Sequence, residues 1–165
     1  MNHCRNTTLD RLAETFGGVV GVGGVTEVVQ SAVWILDERD EPILGIYFAN
    51  EVVTRKSGKI PGQRIVQRLM NFIVTHVAVK PVTTVNTLSA QQGEALAVVE
   101  RLLAADPHLS RSGIPLLSDS YVTQAGTGFD PESRGATLAL AAVSIVAVAH
   151  HVEGAPDVTL PQEQF

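Results

Sequence analysis

The sequence predicts an α+β domain, a mainly antiparallel sheet of three to five strands packed by amphipathic helices. Three observations carry that expectation. The chain has 165 residues, room for one ordinary core and not for two. Hydrophobic residues make up 45% and charged residues only 18%, which excludes a disordered chain. Finally, β-branched runs alternate along the chain with segments whose apolar residues recur every three or four positions. The resulting order is helix, strand pair, helix, strand, helix, weak strands, helix, and mixtures of this kind pack helices against an antiparallel sheet. A single domain is expected over residues 1–154, with residues 155–165 as an extended tail.

The first helix follows from Thr7 or Thr8 as a cap, Leu9, Leu12, Ala13 and Phe16 as an apolar face, and Gly17 as the stop. Gly17 to Gly24 reads as a loop or a glycine-relaxed strand; it does not satisfy GxGxxG, because Thr26 stands where the last glycine belongs. Glu27–Leu36 and Ile43–Val53 are rich in Val, Ile and aromatics and flank the polar Asp37–Pro42, which predicts an antiparallel hairpin. Arg55–Gly62 is a basic loop. From Gln63, the residues Ile65, Val66, Leu69, Phe72, Ile73 and His76 recur at helical spacing and predict an amphipathic helix with Arg64 and Arg68 on its polar side. Val77–Val85 is a β-branched strand interrupted by Pro81.

Ser89 with Gln92 matches a capping box opening a helix over Ala90–Ala105, which Asp106-Pro107 closes. Residues 108–129 are irregular, with short strands at Ile114–Leu117 and Tyr121–Val122. Asp130-Pro131 predicts a helix start, and the run Ala136–Ala149 predicts an Ala/Val-rich helix buried on all sides. A helix of that kind lies under a sheet, in a subunit interface, or in both, so a homo-oligomer is expected.

Composition narrows the function. Aromatics at 5% leave few platforms for stacking bases, and the acidic total of −5 opposes a nucleic-acid partner. The single cysteine, Cys4, excludes a disulfide framework and a cysteine-based zinc site. No apolar stretch follows a basic start, so no signal peptide is expected and the cytoplasm is the default setting. The longest uncharged apolar run has 14 residues, which at about 1.5 Å per residue falls short of the roughly 30 Å needed to span a bilayer. P-loop and GxSxG signatures are absent as well, and no cofactor is expected.

Charge is laid out in blocks. Residues 1–51 sum to −5, residues 52–93 to +6 with no acid, and residues 94–165 to −6. The basic block holds Arg55, Lys56, Lys59, Arg64, Arg68 and Lys80, which together form the candidate ligand site. Arginine forks match carboxylate and phosphate geometry, so the expected ligand is a small anion. The plainer alternative is that these residues balance the protein's own acids.

The catalytic alternatives are less complete. The histidines offer no metal-ligand spacing: His150 and His151 are adjacent, and HExxH is absent. His76 or His150 alone fits general acid–base work, with Lys80 nearby in sequence or with the loop from Ser118, Asp119, Ser120 and Tyr121 to Arg134. The bland counterparts are a core histidine, a helix-end histidine and a well-capped helix start. No set of nucleophile, base and orienting group assembles from these residues. The expectation is therefore a binding or regulatory module for an anionic small molecule, acting as a homo-oligomer. A small lyase- or hydrolase-type enzyme is the second choice.

Overall fold

The computed structural model describes residues 3–30, 41–57, 63–80, 85–130, 137–155 and 160. Helix α1 spans Cys4–Phe16 and helix α2 spans Val85–Ala105. Five strands form one sheet: β1 (Glu27–Val29), β2 (Ile43–Ser57), β3 (Arg64–Lys80), β4 (Asp119–Asp130) and β5 (Thr137–Val152). Their order across the sheet is β1-β2-β3-β5-β4. Every neighbouring pair is antiparallel except β1 with β2, which is parallel.

This corrects the expected fold class. The protein is sheet-dominated, its sheet is mixed, and it has two α-helices where four were expected. The predicted helix after Gln63 is strand β3, and the predicted C-terminal helix is strand β5. Both errors have the same physical origin. In β3 and β5 apolar residues stand on the half-buried face as well as on the helix-covered one, so the alternation is masked and the run has no period with which to refuse a helix. The tie-breaker is β-branching: Ile65, Val66, Ile73, Val74, Thr75 and Val77 in β3, and Val143, Ile145, Val146 and Val148 in β5, favour the pleated chain. The expected helix start at Asp130 is also corrected, since Asp130 ends β4.

The N-terminal hairpin is corrected too. Glu27–Val29 lies parallel to Ile43–Gly45, and the acidic turn expected at Asp37–Asp40 lies outside the described residues. Helix α2 starts at Val85, so Ser89 and Gln92 lie within it and do not cap it; its end at Ala105 is as predicted. Of the tail expected over 155–165, the described Leu160 donates its N–H to the His150 carbonyl at 2.7 Å.

Alternation along the strands decides what is covered. Leu44 and Ile46 of β2, Met70, Phe72 and Val74 of β3, and Ala141, Val143, Ile145, Ala147 and Ala149 of β5 share one face. They form a single core with Leu12 and Phe16 of α1 and Ala95, Leu96, Val99 and Leu103 of α2. Both helices therefore lie on this face. The alanines of β5 serve close approach: small side chains in this interior strand let the helices sit against the sheet. Arg5 at the start of α1 stacks its guanidinium 4.8 Å from the Phe48 ring centroid, and Phe48 meets Phe72 edge-on at 5.7 Å. On the opposite face, no described helix covers the sheet.

Candidate functional site

The helix-bearing face changes character toward the end of the sheet where β2 turns into β3. Past Met70 and Ala147, the inward positions become Arg68 and His151, then Arg64 and Glu153. Arg68 sits at the boundary. Its Nη1–H donates to Glu51 Oε1 at 2.7 Å and its Nε–H to His151 Nε2 at 2.7 Å. His151 in turn donates Nδ1–H to the Val152 carbonyl at 2.8 Å, so the ring is a neutral acceptor toward the arginine. Both partners of the ion pair are largely buried, and Glu51 Oε2 is buried with no hydrogen bond among the described residues.

One step outward, Arg55 Nη2 lies 2.8 Å from Glu153 Oε1 and Arg64 Nη1 lies 3.6 Å from Glu153 Oε2. Two arginines from adjacent strands thus hold one carboxylate between them. The arginine side chains are 74% and 75% exposed, whereas Glu153 is 31% exposed. The turn after β5 aims that carboxylate: the Glu153 N–H donates to the Arg64 carbonyl at 2.9 Å, and Gly154 takes φ +92°.

The candidate ligand set is divided by this geometry. Arg55, Arg64 and Arg68 lie on the helix-bearing face at one end. Lys56, next in β2, alternates to the opposite face. Lys80 stands 16 residues along β3 from Arg64, about 50 Å at strand rise, and belongs to the other end of the molecule. Lys59 lies outside the described residues. Glu51 and Glu153 had been missed as partners because the helical reading of β3 and β5 hid the shared face. Alternation of Arg64, Val66, Arg68 and Met70 was the available signal.

The histidines separate into core and boundary groups. His76 is fully buried and its Nε2–H donates to the Gly23 carbonyl at 3.2 Å, tying the glycine segment to the sheet. Gly23 is required there, since a Cβ would stand 2.2 Å from the Gln91 carbonyl oxygen of α2 at a φ of +57°. Burial holds His76 below the ordinary histidine range. His3 caps α1 by accepting the Arg5 N–H at 3.2 Å. Its pKa is lowered by burial first and by the Arg68 charge second.

On the face opposite the helices, Ser118 Oγ and His150 Nδ1 lie 2.7 Å apart and both residues are buried. Burial first, and then the Lys56 charge, hold His150 below its usual range. Of the predicted catalytic loop, Ser120 is tied off by donating to the Pro107 carbonyl at 2.7 Å. Tyr121 stands exposed on β4, and Arg134 lies outside the described residues.

The uncovered face also holds a shallow groove of about 410 Å³ between Tyr47, Ile73, Thr75, Gln124, Leu140 and Ser144. Among the described residues, no charged side chain lines it. Among the described residues, no three His, Cys, Asp or Glu side chains gather as metal ligands, and no helix is long and apolar enough to cross a membrane.

No protein-family model matches the chain, and no curated protein does. Among solved structures, a chain of the virion of a native gene transfer agent particle is similar. It is 17% identical, has a TM-score of 0.44, and the match covers 86% of this chain and 90% of that one. At this distance the likeness carries neither fold nor function across.

Proposed function

We propose that the protein is a small binding module, working as a homo-oligomer, that takes an anionic group of its ligand between Arg55 and Arg64. The observation that supports this reading is the Glu153 carboxylate held between the two guanidiniums. A fork that already fits one carboxylate fits another, or a phosphate, and both arginines reach water. Glu153 then acts as an internal stand-in that a stronger anion displaces.

Calorimetric titration with inorganic phosphate and with a short oligoglutamate peptide tests this. Glu153→Ala frees the fork and is expected to tighten binding. Arg55→Glu with Arg64→Glu is expected to abolish it without unfolding the protein. Binding that ignores both changes overturns the reading. If only the peptide binds, the anion is a protein side chain, and if phosphate binds as well, a phosphorylated ligand fits.

A second reading, a hydrolase-type enzyme, is favoured by the Ser118–His150 contact, since a neutral imidazole beside a hydroxyl is the first part of an activated nucleophile. Labelling of Ser118 by a fluorophosphonate, lost in His150→Ala, supports it. An unlabelled Ser118 removes it.

A further inference from the structure

We infer that copies of this chain join edge to edge, the outer edge of β2 in one copy pairing antiparallel with the outer edge of β4 in the next. β1 covers β2 only at Ile43–Gly45. Further along β2, the ten residues Phe48–Ser57 have no strand beside their outer edge among the described residues. On the far side of the sheet, β4 presents 12 residues in the same condition. Unpaired edges expose rows of N–H and C=O groups that template pairing with another chain, and proteins ordinarily blunt them with charge. β4 has acids only at its ends, Asp119 and Asp130, and no lysine or arginine.

Three features select the antiparallel register that sets Lys56 opposite Asp119. Lys56 is an exposed cation and Asp119 an exposed acid on the same face of the sheet, so the pair is complementary. The exposed large hydrophobics on strands are Val52, Val53 and Tyr121, at 54%, 49% and 45%, and all three lie on these two edges. In this register Val53 meets Val122, and Tyr121 stands opposite Thr54 and beside Val52. A parallel register would leave Val52 and Val53 next to Ala125 and Gly126.

The bulges also match. β2 carries one extra residue between Phe48 and Asn50, and β4 one between Val122 and Gln124. Each bulge shifts the inward and outward alternation once. With one on each strand, the two edges fall out of step at Thr123 and return to step at Ala49, so that Val53 and Val122 on one side of the bulges, and Phe48 and Thr127 on the other, share the covered face. Every copy then has one β2 edge and one β4 edge, so the contact is head-to-tail and builds a closed ring or a filament.

Mixed cross-linking tests the register. Thr54→Cys and Tyr121→Cys are prepared separately, mixed and oxidised, with Cys4 buried and free in both. Directly opposed residues suit a disulfide. A covalent dimer holding one of each variant is expected; dimers of like variants only, or none, overturn the register. Sedimentation velocity on the unmodified protein is expected to show species larger than a dimer. Lys56→Asp is expected to dissociate them and a second change, Asp119→Lys, to restore them. A monomer at every concentration, or an assembly indifferent to the charge swap, overturns the proposal. Lys56 and Asp119 lie outside the Arg55–Arg64 fork, so phosphate titration still reports on anion binding whichever way the assembly test falls.

Discussion

The middle and the outer end of strand β3 obey the same alternation and do different work. At Met70, Phe72 and Val74, the inward side chains are fully buried under two helices. At Arg64 and Arg68, the same face carries guanidiniums matched to Glu153 and Glu51. The difference is coverage. Where helices close over the sheet, apolar atoms leave water and stabilise the fold; where the helices stop, Arg68 and Glu51 mark the boundary and Arg64 reaches water.

Phe72→Ala is the strongest way to break the covered half. It should cost about 3–5 kcal/mol, because Phe72 anchors the core and the cavity left behind cannot collapse fully. Urea denaturation reads that loss. Next comes the boundary. Arg68→Ala strips Glu51 of its cation in a largely buried position and should cost about 1–2 kcal/mol, the penalty of an orphaned charge. The double change with Glu51→Ala should be milder than the single one.

Acid probes burial on both faces by another route. His3, His76 and His150 all sit below the ordinary histidine range in the folded protein, with burial the largest cause in each. The unfolded chain therefore binds protons on these rings first. Stability present above about pH 6.5 should decline as the pH falls through that value and toward the lower folded ones. Denaturation midpoints across this window check it, and His76→Gln should flatten the decline. At the far outer end, Arg55→Ala should change stability by less than about 0.5 kcal/mol, since its ion pair is exposed. A larger loss there would mean the outer end contributes to the fold as the middle does.

Helix ends were the most legible parts of the sequence. α2 ends at Ala105, just before Asp106-Pro107, and α1 ends at Phe16, although Gly17 stays right-handed and opens a 3-10 turn over Gly17–Val19. Strands β3 and β5 were misread because apolar residues stand on the half-buried face as well as the covered one, and only the assembled sheet tells the two faces apart. The start of α1 was missed for a related reason: its cap is His3, a residue type outside the usual set. The site was half visible. Arg55, Arg64 and Arg68 stood out as an acid-free run, but Glu153 lies about 90–100 residues further along, and only the strand register brings it back beside them.

The sheet order has a consequence for how the chain is made. β3 is the central strand, and its two neighbours differ greatly in separation: β2 ends at Ser57, just before β3 begins, while β5 begins at Thr137. As the chain leaves the ribosome, β2 and β3 can close at once, but the second edge of β3 must wait for more than fifty further residues. During that interval the second edge of β3 is exposed and open to other nascent chains. Synthesis speed between Lys80 and Thr137 is therefore expected to bear on the yield of native protein, and α2 folds within that stretch, where it joins α1 over the face of the waiting strand.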